Sequence, residues 1–172
     1  MNTTASDQVE IFRPGPENTR TLRHALGRFA TGVTVIATQT PDGPVGMTAN
    51  SFASVSLNPA LVLWCIDKKS DRFAVFSQAE RYAVHVLSCG QESLSSGFAH
   101  SHDHFSHITW KEGADGVPEI PNCLARFDCQ IAARHAAGDH LVLIGRVLEV
   151  QMRDGPPLIY SRGAYTELVC GD

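Results

Sequence analysis

Several features that would place this chain in a familiar class are absent from its 172 residues. The longest unbroken apolar run is Ala60 to Ile66, seven residues, whereas a membrane-spanning helix needs about 20. Met1 to Glu10 has no basic stretch followed by an apolar one, so no secretory signal is visible. Lys and Arg number 14 against 18 Asp and Glu, a balance that disfavours binding to nucleic acid or anionic membranes. We therefore expect a cytoplasmic protein without nucleic-acid or membrane partners.

The cysteines lack the pattern of a disulfide framework or a zinc site. There are five of them, an odd number, at wide spacings and without a Cys-x-x-Cys pair, so we predict reduced thiols. Also missing are the Gly-x-Gly-x-x-Gly of a Rossmann site, the Gly-x-x-x-x-Gly-Lys phosphate loop, the Gly-x-Ser-x-Gly nucleophile elbow and the His-Glu-x-x-His zinc helix. The common signatures of nucleotide binding and hydrolysis therefore give no assignment.

What is present is typical of one folded domain. Hydrophobic residues make up 43% and charged residues 19% of the chain, an ordinary globular composition. Residues 1–18 are polar and contain a cluster of Pro14, Gly15 and Pro16. We predict a flexible N-terminal arm over 1–18 and a single domain over 19–172.

The spacing of apolar residues predicts a mainly β fold with a few short helices. Thr19 precedes Leu22, Leu26 and Phe29, which share one helical face before a stop at Gly32. The remaining predicted elements are strands at 33–38, from 45, 50–56, 61–66, 82–87, 125–134, 140–152 and 158–160, helices at 70–76 and 88–99, and a polar loop up to 122. Because strands and helices do not alternate regularly, a closed β architecture is favoured over a doubly wound parallel sheet.

The segment from Gly46 to Ser51 combines small side chains with hydroxyl and amide groups after a predicted hairpin strand. Gly46 and Ala49 leave the backbone approachable, while Thr48, Asn50 and Ser51 can bond an anion or the edge of a heterocycle. A phosphate or flavin contact made by a strand is one interpretation, and an ordinary polar strand edge is the other.

Three further segments each have a functional and an ordinary interpretation. The turn at 70–72 follows a buried strand and begins a helix, so it either meets a phosphate or is a surface turn. His140, after a Gly-Asp turn, either serves as a proton donor, contacts a nicotinamide or is simply exposed in a hairpin turn. Tyr160, Arg162 and Tyr165 either clamp a nucleotide or pack as a terminal strand.

Four histidines lie close together, at His100, His102, His104 and His107, which suggests zinc. A structural zinc site usually adds cysteines or a distant second pair, and no such partner set is visible. We therefore favour a solvated loop and predict no metal site.

In this order the segments resemble the flavin reductases that serve as small components of two-component flavin monooxygenases. The likeness covers about Thr21 to Tyr165. It is carried by the motifs at 29–35, 46–52, 54–59, 138–140, 157–160 and 162–163.

The resemblance implies an FMN-binding split β-barrel, a homodimer with flavin near the subunit interface, and hydride transfer from NADH or NADPH to FMN or FAD. Reduced flavin would pass to a partner monooxygenase. His140 is the implied catalytic residue, as a positioner of the nicotinamide, and Asp71 stands where the family often has Arg or Ser. The residues implied to hold flavin or nicotinamide nucleotide are Pro44, Val45, Gly46, Met47, Thr48, Asn50, Ser51, Cys65, Ile66, Asp67, Asp71, Arg72, Gly97, Phe98, His140, Arg162 and Tyr165.

Two alternatives stay open at this point. A reductase of the same fold could pass electrons to a metal centre such as the cobalt of a corrin. A split-barrel protein could also bind flavin or haem without turnover, with a haem ligand from the loop at 100–107. A pyridoxine-phosphate oxidase would share the fold but should show more basic phosphate ligands.

Overall fold

The computed structural model describes residues 9–101 and 103–166. The first eight residues of the predicted arm, His102 and residues 167–172 lie outside the described part. The helices are α1 (Thr19–Leu26), α2 (Phe73–Gln78) and α3 (Glu92–His100), with 3-10 turns at Pro16–Asn18, Cys89–Gln91, His104–His107 and Ala114–Gly116. The strands are β1 (Thr31–Gly32), β2 (Thr34–Thr40), β3 (Gly43–Ala49), β4 (Ala53–Leu57), β5 (Ala60–Asp67), β6 (Arg81–Val86), β7 (Lys111–Glu112), β8 (Pro118–Glu119), β9 (Ala125–Ala137), β10 (His140–Met152), β11 (Ile159–Ser161) and β12 (Ala164–Thr166).

Seven strands form one antiparallel sheet in the order β3-β2-β6-β9-β10-β5-β4, which confirms the mainly β prediction. The two edge strands, β3 and β4, are consecutive in the chain but do not pair, so the sheet is not closed and the prediction of a closed β architecture is wrong in this respect. The connection between them contains Ser51, whose hydroxyl donates to the Cys65 carbonyl (3.2 Å) and accepts from the Cys65 amide (3.0 Å). These bonds turn the chain away from β3 and towards β5, with which β4 pairs.

Strand β2 has a hydrophobic core on each of its faces. Ile36 packs with Trp64 and Tyr82 in a core on one face of the sheet, which we call the inner core. Val35 packs with Phe98 and other residues of a second core on the outer side. Because successive side chains of a strand point to opposite faces, this one strand anchors both layers.

The segment that follows α3 was predicted as a polar loop, and that prediction is incomplete. Phe105, Val117 and Ile120 are buried against the outer face of the sheet. The Ile120 amide donates to Nε2 of the fully buried His85 (3.2 Å), whose Nδ1 lies 3.2 Å from the Val35 carbonyl. Burial lowers the pKa of His85 to about 3, so the ring is neutral and serves both neighbours. The polar composition hid these contacts because the apolar residues of the segment are widely spaced.

A small three-stranded sheet, β1-β11-β12, lies beside α1. Its turn contains Arg162 and Gly163, both with positive φ (53° and 84°). The Arg162 amide donates to the Gly27 carbonyl (2.8 Å), just after α1 ends. The helix therefore stops earlier than the predicted Gly32, and no residue of α1 is buried. Among the described residues no helix has both the length and the apolar character to cross a membrane.

Candidate active site

Two adjoining cavities lie where β3 ends, between α1, α3 and the β11–β12 turn. The larger has a volume of about 1180 Å³ and the smaller about 370 Å³. Asn50, Tyr160 and Gly163 line both of them. The combined space suits a ligand larger than a single ring system, since small-molecule sites measure roughly 300–1,000 Å³.

The smaller cavity is lined by a network of hydroxyl groups. Thr48 on β3 donates from Oγ1 to the Ser95 carbonyl on α3 (2.5 Å). The Ser95 hydroxyl, fully buried, lies 2.8 Å from the Tyr165 hydroxyl on β12. Tyr165 in turn packs edge-on against Tyr160, with ring centroids 5.5 Å apart. These contacts hold β3, α3 and the terminal hairpin around one space.

The larger cavity has a cationic rim. Arg20 and Arg23 come from α1 and Arg162 comes from the opposite turn, and the imidazole of His24 lines the cavity beside them. Glu10 is the carboxylate among the lining residues. Positive groups that converge on an open cavity favour an anionic ligand.

Thr31 is another lining residue of the larger cavity. The Oγ1 of Thr31 is inaccessible to solvent and makes no hydrogen bond within the described chain. Gly163 has open space where a Cβ would stand. Hydroxyl and amide groups, an apolar wall and arginines together fit a nucleotide with an aromatic ring and phosphates.

Five of the residues that sequence reasoning assigned to a ligand line these cavities. They are Thr48, Asn50, Ser51, Arg162 and Tyr165.

A second group of predicted residues lies on the neighbouring outer face of the sheet. Cys65 is joined to the cavity by its bonds to Ser51. Asp67 pairs with His140 across β5 and β10, and Nδ1 of His140 lies 2.7 Å from the Asp139 carboxylate. That contact lowers the pKa of Asp139, while burial raises the pKa of Cys65. Neither Cys65 nor His140 is among the residues that line the two cavities.

The structure places Gly46 under two rings of the outer core, and its close approach to flavin stays a prediction. A Cβ at this position would stand 2.6 Å from Phe98 and 3.0 Å from Phe105, so the glycine makes room for two core rings. Phe98 is itself fully buried in the outer core. Gly97 faces His104, whose ring a Cβ would strike. The side chain of Phe98 is therefore part of the core, and Gly46 and Gly97 are covered by aromatic rings.

Other predicted residues are also committed to packing. Ile66 is fully buried in the inner core, and the half-buried side chains of Val45 and Met47 pack against it. Pro44 is half-buried at the start of β3.

Arg72 was predicted to meet a phosphate, but it is 7% exposed and donates to the Ser101 carbonyl (2.7 Å). A guanidinium in this position holds the end of α3. Asp71 beside it is exposed.

The histidine-rich segment forms part of the outer layer. His104 packs edge-on against Phe98 at 4.8 Å, and burial lowers its pKa. No group of three or more potential metal ligands occurs in the described part of the chain.

Sequence reasoning missed Arg20, Arg23, His24 and Ser95. Residues 20, 23 and 24 have the spacing of one helical face, which was the available signal. Nothing in the pattern around Ser95 indicates that α3 would bring it to Thr48, because that contact spans 47 residues.

Comparisons with known proteins identify relatives of this chain. The sequence model of the flavin reductase like domain matches residues 26–169. The chain is 52% identical over 155 residues to an NADH-dependent FMN reductase, SmoA, of Agrobacterium fabrum, covering 90% of this chain and 89% of that protein. It is 41% identical to HsaB, the reductase subunit of a flavin-dependent monooxygenase of Mycobacterium tuberculosis, covering 86% of this chain and 81% of the relative.

A solved structure gives the same result. The NADH:FAD oxidoreductase of Streptomyces globisporus superposes with a TM-score of 0.90 at 32% identity, covering 98% of this chain and 96% of that one. The same oxidoreductase has also been solved with fragments of NAD and FAD, at a TM-score of 0.86. The family model matches residues 26–169, and the relatives are similar over most of their length. We conclude that the chain belongs to the flavin reductase family.

Proposed function

We propose that this protein transfers a hydride from NADH or NADPH to FMN or FAD and supplies the reduced flavin to a partner monooxygenase. This proposal rests on the family match over residues 26–169, together with the two adjoining cavities at the end of β3. Relatives named as an FMN reductase and as a reductase subunit of a monooxygenase support this reaction and this recipient.

The chain's own residues bind and orient in this proposal. A bound flavin supplies the hydride-accepting ring, because the redox chemistry belongs to the cofactor and not to any side chain. Thr48, Asn50 and Ser51 bond the polar edges of the ligand, and Tyr165 closes the smaller cavity. Arg162 neutralises phosphate charge. Orientation of this kind matters because the reacting atoms must approach within about 3–3.5 Å.

His140 is proposed as a positioning residue for the nicotinamide. Its ring is held by the Asp139 carboxylate and is only partly exposed. Cys65, Ile66 and Asp67 lie on the strand beside it, and Ser51 joins that strand to the cavity. This arrangement supports one continuous ligand track that runs from the cavities to the outer face of β5 and β10.

We also propose that the active form is a homodimer. Leu57 and Met152 are 95% and 86% exposed, and Val55, Leu148 and Val150 are about half exposed beside them. The exposed residues of β4 and those of β10 lie at the same end of the sheet. Leu61 of β5 shows this, because it pairs with Ser56 of β4 on one side and with Arg146 of β10 on the other. Exposed apolar patches of this kind mark interaction sites. A second copy of the chain, as the family resemblance implies, would cover this surface in the cytoplasm.

The function is tested by adding NADH to the purified protein without oxygen, with and without FMN or FAD. Loss of flavin absorbance at ~450 nm, at a rate proportional to protein concentration, is the expected result. NADPH in place of NADH identifies the preferred donor. Absence of bleaching with either donor and either flavin would reject the reductase function.

Sedimentation equilibrium of wild type and of L57E/M152E tests the dimer, with a monomeric wild type counting against it.

A further inference from the structure

We propose that the cleft between α1 and the β11–β12 turn binds the adenosine diphosphate portion of a dinucleotide, the part that FAD and NAD(P)H share. The inference rests on the proposed function and deepens it. It gives a role to Arg20, Arg23 and Glu10, which no sequence motif singles out and which lie outside the family match over residues 26–169.

The cleft has arginine side chains on two walls, and this arrangement suits a pyrophosphate. Arg20 and Arg23 are exposed on α1, three residues apart, and Arg162 faces them from the turn. None of the three guanidinium groups makes an ion pair within residues 9–101 and 103–166. Arginine binds phosphate with two parallel N–H donors, and unpaired arginines on opposite walls suit a bridging pair of phosphates.

The same cleft offers a surface for a purine ring. Phe29 is 80% exposed and Leu26 is 67% exposed, and both line the larger cavity. A large aromatic side chain left in water beside cationic groups is suited to stack on a base. Glu10, on the same cavity, presents a carboxylate that can accept from ribose hydroxyls.

The walls of the cleft are held at a fixed separation. The Arg162 amide bonds the Gly27 carbonyl, and the Cα of Arg162 lies 3.7 Å from where a Cβ of Gly27 would stand. Gly163 and Tyr160 then continue into the smaller cavity. An adenosine diphosphate in the larger cavity would therefore be joined directly to a ring in the smaller one.

The first test measures binding of ADP itself to the full-length protein by calorimetric titration. The double variant R20Q/R23Q removes two charges from the cleft, and R28Q removes an exposed arginine that does not line it. We expect the Kd for ADP to rise roughly tenfold for each guanidinium removed, and to stay within twofold for R28Q. Equal affinity in the double variant and the control, or no binding to wild type, would overturn the proposal.

Steady-state rates then identify the dinucleotide. If the cleft serves FAD, R20Q/R23Q lowers the preference for FAD over FMN. If the cleft serves the donor, the variant raises the KM for NADH with FMN as acceptor more than the KM for reduced nicotinamide mononucleotide. A double variant that changes neither ratio rejects the subsite. Activity of wild type with FMN and reduced nicotinamide mononucleotide, neither of which contains ADP, tests the reductase function separately.

F29L provides an independent arm, because Phe29 is exposed and its replacement leaves the core intact. Loss of base stacking should weaken ADP binding roughly tenfold, while binding of inorganic pyrophosphate stays nearly constant. Unchanged ADP affinity in F29L would remove the purine contact from the proposal.

Discussion

The Ser95 hydroxyl and the Tyr165 hydroxyl lie 2.8 Å apart and join α3 to the last described strand. Ser95 is fully buried, so its hydroxyl depends on a protein partner. The same serine accepts from Thr48 through its carbonyl. One residue of α3 therefore ties the strand that carries the ligand-binding hydroxyls to the hairpin that closes the cavity.

Replacement of Tyr165 by Phe should remove this tie without changing the ring. The buried Ser95 hydroxyl loses its partner, which costs about 1–3 kcal/mol of the free energy of unfolding. Chemical denaturation of Y165F measures the loss, and the KM for flavin should rise as the hairpin loosens. Y160F, which leaves the Ser95 bond in place, is the matched control. Equal stability of Y165F and wild type would contradict the role assigned to the bond.

Substitution of Gly46 by Ala should destabilise the fold. The new methyl group would stand 2.6 Å from Phe98, a fully buried ring in the outer core. Overpacking of this kind costs about 1–3 kcal/mol of the free energy of unfolding. G90A, at a position with open space, should leave the melting temperature within a few degrees of wild type. If G46A were as stable as G90A, the glycine would not be needed for core packing.

Acid should destabilise the protein through His85. Burial lowers its pKa to about 3 in the folded state, below the unfolded value near 6.5. Its stabilising contribution is therefore complete above the unfolded pKa and is lost as the pH falls towards the folded value, by at most about 1.4 kcal/mol per pH unit. The charge that acts on the ring is Arg126, which pairs with His85 across β6 and β9 and is itself bound to Glu119 and Asp128.

The measurement compares the free energy of unfolding of wild type and H85Q between pH 7 and 5. The other histidines are common to both proteins, and the pH range lies above the usual carboxylate range. Wild type should lose more stability than H85Q as the pH falls. Parallel slopes for the two proteins would show that His85 is already accessible to protons.

The buried ion cluster should matter more than a surface pair. Arg126 donates to Glu119 (2.6 Å) and to Asp128 (2.5 Å), and both Arg126 and Asp128 are nearly inaccessible. D128A would leave a buried guanidinium with one partner fewer, and the loss should reach about 3 kcal/mol or more. E80Q breaks the exposed contact with Arg134 and should cost at most about 1 kcal/mol. Thermal denaturation of the two variants side by side decides between these expectations.

The nicotinamide role of His140 is open to a kinetic test. H140A should raise the KM for NADH several-fold and lower kcat less, because a positioning residue contributes mainly to binding. H135A changes an exposed histidine of β9 near the same hairpin and is the control. A decrease confined to kcat in H140A would contradict the positioning role and would indicate that His140 acts in the chemical step.

The local features of this protein were readable from its amino acids. Alternation and β-branched runs predicted the long strands β9 and β10, and the motif from Gly46 to Ser51 pointed to the edge at which the cavities lie. Turn residues located the hairpin at Gly138, because a positive φ there suits glycine. These properties depend on a few neighbouring residues, so the sequence by itself determined them.

Tertiary structure decided which of the candidate residues meet. The family resemblance places Arg72 and Phe98 beside a ligand, and no local pattern shows that Arg72 bonds Ser101, 29 residues along the chain, or that the Phe98 ring packs over Gly46. Arg20 and Arg23 belong to no recognisable sequence motif. They lie opposite Arg162 because the β11–β12 turn packs against the end of α1. Contacts between residues more than a hundred positions apart depend on how whole layers pack, and local spacing carries no information about that packing.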